Sequence, residues 1–192
     1  NEASRAYLLK KIASHPEAAL ELYASLEQDS VPLIQLLVEA FGEKNFDLQA
    51  LVGKYLKELN ERILHFLIFV LGSDKSRQQM KISFDHVSFL IKVIPPLLCH
   101  DHITDLQNSM LCQLMMGVYS TNPESFELIF QDYMAALCIA AEEDINNDKS
   151  FIILTTTFKY FFPRIPNPCK TVFMSDGFQN LIRETVTQRS PT

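Results

Sequence analysis

The sequence is poor in glycine and lacks the signals of secretion, membrane insertion and N-glycosylation. Five of its 192 residues are glycine, while apolar residues make up 47%, a balance that is typical of an ordered helical protein. The longest strongly apolar run, Ile63 to Leu71, is too short to span a bilayer. With no basic-then-apolar leader and no Asn-x-Ser/Thr site, we predict a cytoplasmic protein without a membrane partner.

Basic residues are missing from the middle of the chain. No lysine or arginine lies between Lys92 and Lys149, and this stretch produces the net charge of −6. Because nucleic acid needs bases to neutralise its phosphates, the stretch disfavours nucleic-acid binding. It carries nine acidic residues: Asp101, Asp105, Glu124, Glu127, Asp132, Glu142, Glu143, Asp144 and Asp148.

Two interpretations of these acids remain open. Glu142, Glu143, Asp144 and Asp148 form a candidate acidic surface that could steer a basic protein partner. Alternatively, the acidic side chains only solvate helix faces and helix ends.

Sequence signatures of catalysis and of metal binding are also missing. G-x-S-x-G, P-loop and G-x-G-x-x-G motifs are absent. The run from Cys99 to His102 is contiguous and has no second ligand pair elsewhere, as a zinc site would need. Asp144-x-Asn146-x-Asp148 resembles a calcium loop but lacks its glycine and its final glutamate. We therefore predict a non-enzymatic protein with no metal and no cofactor.

Three other features have structural interpretations. The four cysteines are widely spaced, which favours buried free thiols in a reducing compartment over disulfides. His65 lies in an apolar segment and is expected to be a hydrogen-bonded core histidine. Pro163-Arg164-Ile165-Pro166 matches the PxxP pattern, but in a helical protein such a stretch more often ends a helix and redirects the chain.

A short pattern recurs about 40 residues apart, which is close to the period of armadillo and HEAT repeats. It consists of a helix-capping residue, a phenylalanine and an acid: Asn45-Phe46-Asp47, Ser83-Phe84-Asp85 and Ser125-Phe126-Glu127. The polar residue would accept hydrogen bonds from free amides at the helix start. The acid in the first turn would be stabilised by the positive end of the helix dipole.

Helical spacing of apolar residues dominates the chain, and no strand alternation competes with it. Pro95-Pro96 are expected to kink or end a helix that begins at Phe84, and Asp101 to cap the next helix. We predict helices over Glu2–Ala13, Pro16–Gln28, Pro32–Gly42, Phe46–Leu56, Glu61–Leu71, Phe84–Leu98, Asp101–Val118, Asn122–Glu143, Phe151–Phe162 and Gly177–Val186, with a loop or weak helix over Gly72–Lys81 and a turn at Thr171–Met174.

The predicted fold is all-α, an armadillo/HEAT-like helical-repeat superhelix. We expect residues 1–192 to form a single helical-repeat segment, with N-terminal helices over 1–58 and armadillo-like repeats over 59–192. The segment is expected to be a fragment of a longer chain.

Three stretches carry a family resemblance. They are Phe84-x-x-Val87-x-Phe89-Leu90-x-Lys92, the run from Ser125 to Met134 with its continuation over Glu142–Asp148, and the run from Val172 to Leu181. In these stretches the chain resembles the fungal branch of the UCS family, the myosin-directed co-chaperones, in the armadillo-type region that precedes the UCS domain.

The resemblance implies a chaperone that binds the myosin motor domain, assists its folding and stability, and works with Hsp90/Hsp70-type chaperones. This segment would then be a helical scaffold, a homodimerisation arm or a co-chaperone-docking arm. No individual binding residue can be transferred from the family. The alternative is another armadillo/HEAT-type adaptor that binds a basic protein partner through the acidic middle region.

Overall fold

Helices form nearly all of the described part of the chain. A computed structural model describes residues 1–44, 46–98, 102–121, 130–131, 134–135, 138–139, 142 and 148–187, with the backbone alone at 84, 95, 148–154, 168 and 185. Within these ranges there is no strand, and the all-α prediction is confirmed. The helices are α1 Glu2–Ser14, α2 Pro16–Ala24, α3 Val31–Gly42, α4 Leu48–Lys57, α5 Glu61–Leu71, α6 Asp74–Gln79, α7 Phe84–Leu98, α8 Asp105–Thr121, α9 Asp148–Phe161, α10 Asn167–Lys170, a 3-10 helix Thr171–Met174 and α11 Asp176–Thr187.

Polar side chains define where several helices begin. Ser30 caps α3 and Asn60 caps α5, each accepting a hydrogen bond from a first-turn amide, at 3.4 and 3.1 Å. Thr104 and Gln107 form a reciprocal pair at the start of α8, in which each side chain accepts from the other residue's amide, at 3.0 and 3.1 Å. The prediction that Asp101 caps this helix is therefore wrong; Asp101 itself lies outside the described residues.

In the first copy of the capping pattern, the residue that caps the helix is not the predicted one. Asp47 is itself the cap of α4, and its carboxylate accepts hydrogen bonds from the amides of Gln49 and Ala50, at 3.0 and 3.3 Å. Phe46 precedes the helix and packs against Phe41, with 5.6 Å between the ring centroids. Both amides bond the same carboxylate oxygen, and the negative charge of Asp47 is also favourable at the positive end of the helix dipole.

In the second copy, the helix begins at the predicted residue. Helix α7 begins at Phe84, directly after Ser83. His86 Nδ1 accepts the amide proton of Ser83 at 3.1 Å and lies 2.9 Å from the Ser83 hydroxyl, so the helix start is closed by a histidine. The third copy, residues 125–127, lies outside the described residues.

The predicted end of α7 is confirmed, and the predicted end of α2 is wrong. Helix α7 ends at Leu98 as predicted, and it accommodates Pro95 and Pro96 because they lie in its last turn, where only two hydrogen bonds are lost. Helix α2 ends at Ala24 instead of Gln28. Its last carbonyl accepts from the Asn60 side chain at 3.1 Å, so one asparagine closes α2 and caps α5.

The helices pack with a period of three. Helix α5 contacts α2 on one side and α8 on the other, α3 contacts α6, and α4 contacts α7. Helices that begin successive units, α1, α4 and α7, start about 40 residues apart, as expected for armadillo-type repeats with three helices each. This packing supports the predicted helical-repeat organisation.

Helix α5 lies at the centre of the stack, and its bounds agree with the prediction. It has contacts with α2, α3, α4, α6 and α8. The helix is not buried all round, because His65 points outward. Its buried side chains are Ile63, Leu64, Phe66, Leu67, Val70 and Leu71.

Glycine permits the close crossing of α5 and α8. Gly117 of α8 is buried against Leu71 of α5, and a Cβ atom at position 117 would lie 2.6 Å from the Leu71 Cβ. That separation is far below van der Waals contact, so the two helices would have to move apart. By contrast, a Cβ atom at Gly53 of α4 would meet no atom within 4 Å.

We predict opposite effects for alanine at these two glycines. Gly117→Ala should lower the free energy of unfolding by about 1–3 kcal/mol through overpacking. Gly53→Ala, the matched control in an open helical position, should raise it by about 0.5–1 kcal/mol. Urea denaturation followed by circular dichroism measures both. A Gly117→Ala chain as stable as the original would contradict the close α5–α8 crossing.

Candidate functional site

The predicted acidic surface is only partly within the described residues. Glu142 is helical and exposed, and Asp148 begins α9, whereas Glu143 and Asp144 lie outside the described residues. Burial, followed by the nearby Glu142 charge, raises the pKa of the Cys138 thiol to about 11. The exposed Glu142 therefore lies near a thiol that stays protonated. The acidic surface as a whole stays a prediction.

The described residues offer little for nucleophilic or metal chemistry. No group of three metal-ligating side chains occurs among them. Of the run from Cys99 to His102, the described part is His102, which is exposed in a turn. Cys112 and Cys169 are buried and form no disulfide, and burial raises the pKa of Cys112 to about 12. A thiol that stays protonated in the core is a poor nucleophile.

The PxxP stretch is a turn that is anchored in the core. Arg164 and Ile165 donate their amides to the Phe161 carbonyl, at 2.9 and 3.0 Å, and Ile165 is buried. The Arg164 guanidinium lies 4.3 Å from the centre of the Tyr160 ring. A polyproline ligand must be extended and accessible, so this stretch redirects the chain, as expected.

An ion-pair cluster joins the α2–α3 loop to α5. Asp29, in the loop, pairs with both Arg62 and His65. The His65 side chain is 48% exposed, so the prediction of a core histidine is wrong. At helical spacing, position 65 faces away from the row formed by Ile63, Phe66 and Val70, and the Asp29 carboxylate supplies its partner instead.

Beneath this cluster lies a buried tyrosine. The Tyr23 ring packs edge-on against Phe66, with 6.3 Å between centroids, and its hydroxyl makes no hydrogen bond with the described residues. Burial, together with the Asp29 carboxylate, raises the pKa of Tyr23 to about 12, and Arg62 opposes the rise. Tyr23 therefore stays neutral at physiological pH and acts as a core residue.

The first two copies of the capping pattern meet across a surface recess. The starts of α4 and α7 lie side by side and line a volume of about 380 Å³ with Asp47, Asp85 and His86 among its walls. Equivalent helices of neighbouring units thus begin at the same end of the stack. Asp47 and His86 are already engaged with amides at the helix starts, so the recess serves helix capping.

A larger apolar groove lies among the C-terminal helices. It has a volume of about 470 Å³ and is lined by faces of α9 and α11 and by the end of the 3-10 helix. Its apolar walls include Phe158 and Met174, which are 38% and 66% exposed. Two bases, Lys159 and Arg183, stand among the described lining residues, and none of those is acidic.

Aromatic stacking holds the groove together. Phe173 of the 3-10 helix lies at the centre, 5.2 Å from the Phe158 ring, 5.9 Å from Phe162 and 5.2 Å from Phe178, always edge-on. Phe158 and Phe162 stack at 4.8 Å. Edge-on and stacked rings are favourable arrangements, so the groove walls are preformed.

The helical stack matches a known protein family over most of its length. The UNC45-central family model, described as myosin-binding striated muscle assembly central, matches residues 54–192. The chain belongs to this family. The resemblance to the fungal UCS family of myosin co-chaperones is thereby confirmed.

One curated relative is the SWI5-dependent HO expression protein 4 of Saccharomyces cerevisiae. It is 26% identical to this chain over 188 residues, which cover 95% of the chain and 22% of the relative. The chain thus spans about a fifth of that relative's length. No solved structure matches the chain, and no helix in the described ranges is long and apolar enough to cross a membrane.

Sequence reasoning missed the C-terminal groove. Its phenylalanines have helical spacing, which predicts core positions, and Phe173 and Phe178 are indeed buried. The row Thr155, Phe158 and Lys159 on α9, which Phe162 continues just past the helix end, was a usable signal, because it mixes aromatic and basic residues on one face. That row reveals a surface only when the opposite face of the same helix is known to be buried.

We predict that the Tyr23 hydroxyl does not stabilise the fold. Tyr23→Phe should leave the free energy of unfolding at pH 7 unchanged or raise it by up to about 1 kcal/mol, because a buried hydroxyl without a partner is lost. The unfolded tyrosine ionises near pH 10 and the folded one near 12, so the original chain should lose stability across this window.

Urea titrations at neutral and alkaline pH measure this effect. The Tyr23→Phe chain should lose less stability at high pH than the original chain, whereas Tyr7→Phe, at a residue that is 61% exposed, should follow the original. A clear loss of stability in Tyr23→Phe at pH 7 would mean that the hydroxyl has a stabilising partner.

Proposed function

We propose that this chain is a non-enzymatic helical segment of a cytoplasmic, myosin-directed co-chaperone that assists the folding and stability of the myosin motor domain. The observation that carries the proposal is the match of residues 54–192 to a family described as myosin-binding. The helical stack supports it, because repeat proteins use extended surfaces to hold partners.

The segment's part in that protein is proposed to be mechanical. A single cluster of buried apolar side chains runs from Leu20 of α2 to Leu181 of α11. A continuous core lets the stack act as a stiff scaffold that holds its neighbours at a fixed separation. Such a scaffold could also dock Hsp90/Hsp70-type chaperones or pair with a second copy. We propose N-terminal helices over 1–58 and armadillo-like repeats over 59–192.

The proposal is tested in the intact parent protein with a matched pair of variants on α8. Leu111 is fully buried and Leu106 is 58% exposed. Leu111→Asp should unfold this segment and lower the recovery of soluble motor domain several-fold, because a buried carboxylate costs several kcal/mol. Leu106→Asp should leave the recovery unchanged. Co-purification of the parent with a myosin motor domain is the second measurement.

Two results would contradict this function. One is an intact parent that enriches motor domain no better than an unrelated protein. The other is a Leu111→Asp parent whose segment is unfolded, by circular dichroism of the matching 192-residue chain, and which still protects motor domain fully.

A second candidate function is an adaptor that binds a basic protein through the acidic middle region. The observation that favours it is the absence of lysine and arginine between Lys92 and Lys149, together with the exposed Glu142. Surface attraction of this kind acts over about 10 Å and is screened by salt.

Charge neutralisation tests the adaptor function. The triple change Glu142→Gln, Glu143→Gln and Asp144→Asn should weaken binding of a lysine-rich peptide about tenfold at low salt, and added salt should remove the difference. The control is a triple Glu→Gln change at three exposed acids of the N-terminal part: Glu17, Glu21 and Glu27. Equal weakening by both triples would show that net charge alone attracts the peptide.

A further inference from the structure

The C-terminal groove has the form of a receptor for a helix. One long wall is the face of α9 with Thr155, Phe158 and Lys159, which Phe162 continues just past the helix end, at the spacing i, i+3, i+4 and i+7. The other is the face of α11 with Gln179, Ile182 and Arg183, at the spacing i, i+3 and i+4. Its volume of about 470 Å³ falls within the range of about 300–1,000 Å³ that is usual for binding sites. An amphipathic helix inserts apolar side chains at the same spacing into such grooves.

The accessible apolar surface of the groove is adaptable. Phe158 and Met174 are its most accessible apolar side chains. The Met174 sulfur lies 4.0 Å from the Gln179 amide nitrogen at the groove edge. Methionine fits varied apolar shapes because its side chain is flexible and polarisable. The rigid phenylalanine walls and the flexible methionine together suit bulky aliphatic or aromatic residues of an incoming helix.

The charge around the groove selects an acidic occupant. Lys159 and Arg183 line opposite helices, and the Lys170 ammonium lies 5.3 Å from the centre of the Phe162 ring. The stretch from 149 to 187 contains five bases and two acids, the reverse of the acidic stretch before it. The two acids, Asp176 and Glu184, are not among the described lining residues.

We propose that this groove binds an acidic amphipathic helix of a partner protein. The apolar face of that helix lies against Phe158 and Met174, and its flanking carboxylates face Lys159 and Arg183. The inference is independent of the myosin assignment, because it rests on the shape and charge of the groove alone. Charges at a groove rim set orientation and association rate, so acidic helices are selected over basic ones.

Fluorescence anisotropy with two synthetic peptides tests the proposal. Both peptides are amphipathic helices of about five turns with leucine on one face; one carries glutamate along the borders of that face, the other lysine. The 192-residue chain should bind the glutamate peptide at least about tenfold more tightly than the lysine peptide, and the preference should shrink with added salt.

Variants on the exposed rim locate the binding. Met174→Glu, which places a carboxylate beside the apolar side chains and repels the glutamate peptide, and the double change Lys159→Glu with Arg183→Glu should each weaken glutamate-peptide binding about tenfold or more. Leu106→Glu, an exposed apolar site on α8, and Lys10→Glu, an exposed base on α1, are the matched controls and should bind as the original does. Thermal unfolding verifies that the variants remain folded.

Three results would overturn the proposal. The first is equal binding of the two peptides, or no binding of either. The second is glutamate-peptide binding that the rim variants leave unchanged. The third is a dimer, seen by sedimentation, which Met174→Glu dissociates while the peptide does not compete; the groove would then be occupied by a second copy.

Discussion

The burial of α5 is the constraint on which the rest of this structure depends. Five other helices contact it, so both of its ends lie close to other backbone and need polar partners. Asn60 caps the first turn, and the Arg77 guanidinium donates a hydrogen bond to the Leu71 carbonyl at the other end. Those two side chains come from flanking segments, so the connections on either side of α5 are fixed as well.

Asn60 and Gly117 show how the repeat packing is specified by few residues. Asn60 accepts from an α5 amide and donates to the last carbonyl of α2, which sets the distance between these helices. Gly117 removes the side chain that would separate α8 from Leu71. With α2, α5 and α8 held in one row, α4 and α7 lie side by side and their capped ends face the same side.

The sequence predicted helices well where the apolar pattern was strong, and the predicted bounds of the central helix, Glu61–Leu71, are the observed ones. Prediction failed where one local pattern was compatible with two structures. A carboxylate and a side-chain amide can both cap a helix, so the pattern alone did not decide that Asp47 is the cap. His65 was misplaced because its partner, Asp29, is distant in sequence. The groove was missed because helical phenylalanines give one pattern whether they face a core or a surface.

The aromatic walls of the C-terminal groove couple stability to binding. Phe158 and Phe162 pack on Phe173, which is buried and also holds Phe178 of α11. Truncating any of these rings would loosen α9 from α11, and a loss of binding would then report a loss of fold. Met174 stands outside this ring cluster and is two-thirds exposed. A groove built in this way is therefore adjustable at its rim, while its floor is fixed by the same contacts that close the helical stack.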